Sequence, residues 1–284
     1  EEQENLTGSK ETEMELEELY NTLIKFGKEM EKMDIVQDTL NVSADAEFIL
    51  LVALSDLHMG KKGVNYEYID RLLDFVSSHE RVFAYINGDL IDNWVNFSPD
   101  SGGHDEILPP KYQNKIAEWK VKQIKDSLLW IIQGNHEYRS EKQGEESPLE
   151  RISRKFDIPY LGHGGRINLT INDIEYKLHA RHKFRYNSSF NPTHSCHRLN
   201  DVLDAQAEVV MIGHKHQAAI GKQFKAGKWR SYLRYGAAYP TSNFEEYLGY
   251  EKTPLVAPSV LMSGVKKYHE PFMELSVAKE FIEG

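Results

Sequence analysis

Apolar and polar positions form a regular succession of short segments from Glu47 onward. Unbroken apolar runs of strand length occur at four places, namely Phe48–Leu54, Val82–Ile86, Leu128–Ile132 and Val209–Ile212. Runs without polar alternation are typical of strands that are buried on both faces. Helical periodicity is found at three further places, namely Tyr66–Ser78, Lys111–Ser127 and Pro148–Phe156. This succession predicts an α/β fold in which a sheet is covered by helices.

Two hairpins are predicted in the second half of the chain, where apolar and polar positions alternate. The first joins Arg166–Ile171 to Ile174–Ala180 through an Asn-Asp pair, which favours a tight turn. The second joins Ala218–Phe224 to Trp229–Tyr235 through a short segment that contains a glycine. The strands of these hairpins complete the predicted set of β-strands.

The N-terminal segment differs in composition from the rest of the chain. Residues 1–10 are polar and are expected to be disordered. Between Glu11 and Lys32, apolar residues recur at helical spacing, namely at Met14, Leu16, Leu19, Leu23, Ile24 and Phe26. We predict an amphipathic helix that docks on the body, binds a protein partner or tethers a missing upstream domain. The predicted organisation is an acidic segment of residues 1–45 followed by one domain of residues 46–284.

Composition and targeting signals limit the classes of protein to which the chain can belong. The chain has 284 residues, of which 40% are hydrophobic and 27% charged, as in an ordinary soluble globular protein. It has no apolar run of the length that a membrane span needs and no secretory signal, so no membrane partner is expected. The single cysteine, Cys196, excludes an internal disulfide framework. We therefore expect a cytoplasmic location.

Charge is distributed unevenly along the chain. The net charge is −10, and residues 1–19 carry eight glutamates against one lysine. The remainder of the chain is therefore nearly neutral, and such a body can approach a phosphodiester when it carries metal cations. The acidic total argues against wide, non-specific coating of nucleic acid.

Polar clusters follow five of the predicted strands, at the point where each strand ends. They are Asp56-Leu57-His58, Gly88-Asp89-Leu90-Ile91-Asp92, Gly134-Asn135-His136-Glu137, a histidine at position 179 or 182, and Gly213-His214-Lys215-His216. In open sheets, ligands gather beyond the carboxyl ends of the strands. Carboxylate, imidazole and amide groups gathered there can hold two divalent ions.

The spacing within the clusters fits metal binding. Asp56 and His58 are two residues apart in extended chain, so their side chains point to the same side, and His214 and His216 repeat this spacing. The two carboxylate oxygens of Asp89 allow it to bridge two ions. Each pair alone is weak, because single histidines are more often hydrogen-bonded side chains without a metal. The joint occurrence of all five clusters in this order is what predicts a metal site.

These ordered motifs resemble those of the calcineurin-like metallophosphoesterase superfamily, over about residues 48–240. The resemblance implies a four-layer α/β/β/α sandwich of two mixed sheets flanked by helices, with residues 46–284 as the catalytic domain. It also implies two divalent metal ions per chain, with manganese the first choice and iron, zinc or nickel as alternatives.

The resemblance assigns a role to each matching position. One ion would be held by Asp56, His58 and His216, and the other by Asn135, His214 and the histidine of the fourth motif. Asp89 would bridge the two ions. His136 would act as a general acid or stabilise charge at the phosphate, and Asp92 would orient either His136 or a metal ligand. Two acids, Asp92 and Glu137, are candidates to fix the second nitrogen of ligating imidazoles, and Asp105 is a third candidate for which a solvated loop carboxylate is the favoured interpretation.

The fourth motif departs from the usual pattern, in which a glycine follows the histidine. Here the strand offers His179 and His182, and neither is followed by glycine. We favour His182 as the ligand, because the stretch from Arg181 into Asn187 resembles the corresponding region of certain phage-associated phosphoesterases. His179 would then be a packing or supporting residue.

Two polar segments are candidates for substrate binding. Asn93–Pro110 is a long loop beside the predicted site and supplies His104. Arg181–Arg198 interleaves cations, among them Arg181, with aromatic residues, a composition that can grip phosphates and stack bases. The alternative is a solvated loop anchored by its aromatic side chains.

Three functions are compatible with these observations. The first is a phosphodiesterase acting on nucleic acid, similar to nuclease members of the superfamily, by attack of a metal-activated hydroxide. The second is a phosphomonoesterase or protein phosphatase, although Gln133 precedes the third motif where protein phosphatases usually carry arginine. The third is a metal-bearing scaffold with a vestigial site, whose working surface is the N-terminal helix. The sequence gives no indication of oligomeric state.

Overall fold

The computed structural model describes residues 14–28, 39–95, 105–240 and 254–283. The chain divides into two compact units, Glu1–Asp38 and Thr39–Gly284. In the first unit, residues 14–28 form a helix, α1, within the predicted Glu11–Lys32 segment. The remainder of that predicted helix lies outside the described residues. The domain boundary after residue 45 stays a prediction.

The second unit consists of alternating strands and helices. Its strands are β1 (Thr39–Ala44), β2 (Phe48–Leu54), β3 (Val82–Asn87), β4 (Leu128–Ile132), β5 (Gly164–Ile171), β6 (Ile174–Arg181), β7 (Val209–Ile212), β8 (Ala219–Lys225), β9 (Lys228–Arg234), β10 (Ser259–Ser263) and β11 (His269–Phe272). Its helices are α2 (Tyr66–Ser78), α3 (Pro110–Ile124), α4 (Tyr138–Glu141), α5 (Pro148–Phe156), α6 (His194–Val202) and α7 (Leu275–Glu283).

The strands form two mixed sheets, as predicted. One has five strands in the order β11-β10-β2-β3-β4, in which β2, β3 and β4 are parallel and β10 is antiparallel to β2. The other has six strands in the order β1-β5-β6-β7-β9-β8. In it β6, β7 and β9 are parallel, whereas β5–β6 and β8–β9 are antiparallel hairpins. Each sheet therefore has a block of parallel strands whose carboxyl ends lie at one edge.

Burial along β2 shows how the layers are stacked. Leu50, Val52 and Leu54 pack in a core that also contains residues of α2, α3 and α5. The alternate side chains, from Ile49 to Ala53, pack in a second core with residues of the six-stranded sheet. A third core joins that sheet to α6. The fold is therefore a four-layer α/β/β/α sandwich, as predicted, and both faces of β2 are buried, which explains its unbroken apolar run.

Local sequence signals account for several element boundaries. The side chain of Asn65 caps α2, since its Oδ1 accepts a hydrogen bond of 2.8 Å from the Tyr68 backbone N–H. Asn172, in the turn between β5 and β6, has φ +49°, a conformation that asparagine tolerates better than most residues. The helix predicted over Lys111–Ser127 ends instead at Ile124, and a single 3₁₀ turn follows. Among the described residues, no helix combines the length and apolar character that a bilayer-spanning segment requires.

Candidate metal centre

The ends of β2, β3, β4, β6 and β7 bring the sequence-predicted ligands together. Among the described residues, candidate ligand atoms lie within 4.8 Å of one another in three groups. We call Asp56, His58, Asp89 and His216 the first group, and Asp89, His182 and His214 the second group. The third group is His58, Asp92 and His136. Asp89 belongs to both of the first two groups, as a bridging carboxylate would.

Short distances join the members of these groups. In the first group, His216 Nε2 lies 3.1 Å from His58 Nε2 and 3.3 Å from Asp56 Oδ1. In the second group, His182 Nε2 lies 3.1 Å from Asp89 Oδ2 and also 3.1 Å from the amide oxygen of Asn135. Asn135 is thereby placed beside the second group, as the sequence predicts. His179 lies elsewhere, with its Nδ1 3.1 Å from Asp204 Oδ2.

Three imidazoles have their Nδ1 atoms fixed by partners outside the two groups. His58 Nδ1 lies 3.2 Å from Asp92 Oδ1, and His182 Nδ1 lies 2.7 Å from the backbone carbonyl oxygen of Asn87. His216 Nδ1 lies 2.9 Å from the hydroxyl of Tyr239. When Nδ1 donates to such a partner, Nε2 keeps its lone pair and faces the centre, which is the arrangement that metal ligation needs.

Divalent cations fit between these residues. Asp89 Oδ2 is buried without a partner in good hydrogen-bond geometry, although the ring nitrogens of His182, His58 and His136 surround it at 3.1–3.8 Å. Two ring nitrogens, His58 Nε2 and His216 Nε2, face each other at 3.1 Å. Two ligands at right angles on an ion, each at about 2.1 Å, would be about 3.0 Å apart. The donor set of imidazole nitrogens and carboxylate and amide oxygens suits borderline divalent ions.

The electrostatics of the groups follow from burial and mutual charge. Burial and the nearby His136 lower the pKa of His58 to about 4, and burial and His182 lower the pKa of His214 to about 3. Burial alone would lower the pKa of His182, but the Asp89 carboxylate raises it to about 10. Despite its burial, Asp89 has a pKa well below the usual range because His182 and His136 surround it. His58, His214 and Asp89 are therefore in the forms that bind metal, whereas His182 pairs with the Asp89 carboxylate as a cation and must release a proton when an ion binds.

His136 lies at the edge of the centre with its ring orientation fixed. Its Nδ1 lies 2.5 Å from the backbone carbonyl oxygen of Asp92 and 3.5 Å from Asp92 Oδ1, so Nε2 is directed toward Asp89 Oδ2 at 3.8 Å. Arg139, which the sequence analysis missed, contacts His136 Nε2 through Nη2 at 3.3 Å. The sequence feature that could have predicted this contact is the spacing of three residues between His136 and Arg139, which is about one helical turn.

Glu137 has a different role from the one expected. It does not fix an imidazole; its two carboxylate oxygens accept backbone hydrogen bonds from Asp89, Leu90, Ile91 and Gly134, at 2.8–3.2 Å. Burial and then the Asp89 carboxylate raise the pKa of Glu137 to about 7. The side chain therefore holds the turns after β3 and β4 against each other, and with them Asp89 and Asn135.

We expect Glu137→Ala to lower the free energy of unfolding by about 2–4 kcal/mol, because it leaves four N–H donors without an acceptor in a buried place. Urea unfolding followed by circular dichroism measures the loss. The matched control is Glu145→Ala, since the side chain of Glu145 is exposed in the same segment. Equal stabilities of the two variants would contradict the proposed link between the turns.

The backbone at the site is in an unusual conformation. Five candidate ligands have positive φ in the left-handed region, namely Asp56 (+55°), His58 (+46°), Asp89 (+50°), His214 (+72°) and His216 (+54°). Residues other than glycine adopt this region seldom, and such residues cluster at functional sites. Beyond β3, a Cβ on Gly88 would lie 2.5 Å from Gly134 Cα, so only glycine fits where the two turns meet.

The remaining sequence-predicted residues are placed as follows. Arg181 ends β6, and its Nε donates to His179 Nε2 at 3.1 Å. Asp105 has an exposed side chain, and its backbone carbonyl oxygen accepts a hydrogen bond from the Lys62 N–H. His104 lies outside the described residues. Tyr239 was not predicted, because its contact with His216 joins two separate loops and leaves no local pattern.

A four-layer sandwich with linked groups of acidic and imidazole side chains at its strand ends defines a protein of the metal-dependent phosphoesterase class. The family model described as calcineurin-like phosphoesterase matches residues 49–218, which is more than half of the chain. The chain belongs to this family. Its clustered ligands mark it as a metallophosphoesterase with candidate divalent metal sites. Among curated proteins, none matches the sequence.

Several solved structures are similar to the chain. Vacuolar Protein Sorting 29 from Cryptosporidium parvum is 14% identical, with 81% of this chain and 100% of that chain covered and a TM-score of 0.45. A putative 5'-nucleotidase from Staphylococcus aureus is 11% identical, with 80% of this chain and 53% of that chain covered and a TM-score of 0.47. A predicted phosphoesterase from Streptococcus pneumoniae is 13% identical, with coverages of 81% and 100% and a TM-score of 0.37.

Proposed function

We propose that the chain is a phosphodiesterase that binds two divalent metal ions and hydrolyses nucleic acid. The observation that supports it most strongly is that Asp89 is shared by two groups of candidate ligands. In the proposal, Asp56, His58 and His216 hold one ion, and Asn135, His182 and His214 hold the other. Manganese is the first choice, with iron, zinc or nickel as alternatives. A nuclease related to phage-associated enzymes and a cytoplasmic location are parts of the same proposal.

Two bound ions would supply a nucleophile from water at neutral pH and neutralise charge on the phosphate. The chain's own residues would orient the ester and supply a proton to its departing oxygen. Asp92 holds His136 through its carbonyl oxygen and leaves His136 Nε2 directed at the centre. In the observed contact Nε2 accepts from the Arg139 N–H; when Nε2 instead carries a proton, His136 can give that proton to the departing oxygen of the ester. Arg139, which contacts both Asp92 and His136, adds a positive charge beside the phosphate position.

A nucleic acid is favoured as the substrate by the segment that follows His182. Lys183 and Arg185 belong to this segment and Arg198 lies in α6, which follows it, and none of the described salt bridges includes these three residues. Cations beside a phosphoesterase centre attract a polyanionic substrate, and this attraction falls with salt. Gln133, buried at the end of β4, stands where protein phosphatases usually carry arginine.

The experiment that tests the proposal compares ester classes. We expect the purified chain with manganese to hydrolyse bis-p-nitrophenyl phosphate and labelled single-stranded DNA, and to lose both activities on chelation. Strong preference for p-nitrophenyl phosphate, a monoester, would identify a phosphomonoesterase instead. Bound metal without turnover of any ester would identify a scaffold. In that case, removal of residues 1–40 should abolish binding of its protein partner.

The choice of His182 as a ligand gives a separate prediction. We expect His182→Ala to bind one divalent ion per chain where the wild type binds two, because the second group loses an imidazole. The matched control is His179→Ala, which removes a buried histidine of the same strand end and should keep both ions. Elemental analysis after dialysis against manganese measures the ratio. Loss of an ion from His179→Ala alone would reverse the assignment.

A further inference from the structure

The segment from His182 to Thr193 leads away from the second group and carries cations and aromatic rings. Arg185 and Arg198 both lie over the ring of Tyr186, with the guanidinium carbons 4.8 Å and 5.0 Å from the ring centroid. Phe190 is 98% exposed, more than any other large apolar side chain of the described residues. An exposed aromatic ring in a segment rich in cations has the composition of a surface that stacks bases and contacts phosphates.

The charged side chains around this segment of the sequence, apart from histidines, are all cationic. The chain has 44 acidic residues, yet residues 176–200 contain none. The same stretch contains Lys177, Arg181, Lys183, Arg185 and Arg198. Lys183 directly follows His182, a member of the second group. The cationic region is therefore continuous with the candidate metal centre, in a chain whose net charge is negative.

The segment is held in place by a buried arginine. Arg234 is 3% exposed, and its Nη1 donates to the Pro192 carbonyl oxygen at 3.0 Å and to Ser195 Oγ at 2.7 Å, with a longer contact to Asn187 Oδ1 at 3.4 Å. Ser188 Oγ accepts from the Phe190 N–H at 3.3 Å. Groups on either side of Phe190 are therefore anchored, so its ring is presented to solvent on a fixed support, at low entropic cost for a ligand that stacks on it.

We propose that the segment His182–Thr193 is the site where an unpaired nucleotide next to the cleaved phosphate binds, with its base stacked on Phe190 and its phosphate near Arg185 and Lys183. The inference rests on the proposed function and narrows its substrate to single-stranded nucleic acid. A duplex keeps its bases stacked on each other, so it offers no base face to Phe190.

The test uses the full chain and two measurements. We expect Phe190→Ala to raise the KM for a single-stranded DNA oligonucleotide by about 5- to 150-fold, while kcat/KM for bis-p-nitrophenyl phosphate stays within about twofold of the wild type. Fluorescence anisotropy of the labelled oligonucleotide in chelator measures binding separately from hydrolysis. The matched control is Phe224→Ala, since Phe224 is also exposed but pairs with Trp229 near the amino end of β9, opposite the centre.

The outcomes separate this inference from the function on which it rests. If the wild type hydrolyses neither ester nor DNA, the proposed function is wrong. If it hydrolyses the small diester but Phe190→Ala binds and cleaves the oligonucleotide as well as the wild type does, the stacking site is wrong and the function stands. The stacking site would also be overturned if Phe224→Ala weakened binding of the oligonucleotide as much as Phe190→Ala does. It would likewise be overturned if the wild type cleaved duplex DNA in preference to single-stranded DNA.

Discussion

Replacing His136 by alanine should lower turnover of a phosphodiester by about two to four orders of magnitude while leaving two metal ions per chain. The reason lies in the ring orientation: Asp92 binds Nδ1, and Nε2 faces the centre from 3.8 Å without belonging to the first two groups. Steady-state kinetics with bis-p-nitrophenyl phosphate and elemental analysis of the same preparation measure the two quantities.

The matched control for His136 is His163→Ala, which removes an exposed imidazole that lies outside the three groups. It should leave both turnover and metal content unchanged. Loss of metal from His136→Ala would show that His136 is a ligand. Unchanged turnover would show that the leaving oxygen receives its proton from another source.

Replacing Asp89 by asparagine or alanine should remove both ions and reduce turnover below detection, since Asp89 alone belongs to both the first and the second group. Its Oδ1 also accepts the backbone N–H of His136 at 2.9 Å, so the alanine variant loses that support as well. Because ions that bind the folded state raise its stability, manganese should raise the Tm of the wild type and not that of the variants.

Asparagine is the more informative of the two substitutions, because it keeps the size of the side chain and removes only the charge. Asp105→Asn, at an exposed carboxylate of the same unit, serves as control and should keep the metal-dependent rise in Tm. Retention of two ions per chain by Asp89→Asn would remove the argument that Asp89 bridges them.

The sequence predicted those parts of the fold in which the local pattern of apolar residues matches the pattern of buried side chains. β2 and β7 are buried on both faces, so their unbroken apolar runs match their observed bounds. β1, β10 and β11 were missed. β1 is an edge strand with polar positions, and among the described strands it pairs with β5 alone, more than a hundred residues away. Such a strand is defined by its partner, which a local pattern cannot show.

The helix α6 was missed for a similar reason. It begins without a side-chain cap, and its first half lies in the polar stretch Arg181–Arg198, which was interpreted as a substrate-binding segment or a solvated loop. Only Cys196 and Leu199 of this helix pack in the third core, so its periodicity is weak. Its position is fixed by contacts with the outer face of the six-stranded sheet, which become visible only in three dimensions.

At the site, the positions of the candidate ligands could be predicted because each follows a strand end. The partners of the ligating rings could not be predicted. His182 Nδ1 contacts a backbone carbonyl, which any residue could supply, and Tyr239 reaches His216 from another loop. Glu137 was recognised as part of a motif, but its partners are backbone amides of two turns, and amides have no sequence signature.

The left-handed backbone of five candidate ligands implies a trade-off between stability and activity. Each such residue costs about 1–3 kcal/mol, against a total stability of about 5–15 kcal/mol for an ordinary domain. The buried sandwich must therefore offset strain that is concentrated at the candidate ligands. A substitution that relaxes one of these residues would therefore gain stability at the expense of the candidate ligand that it replaces.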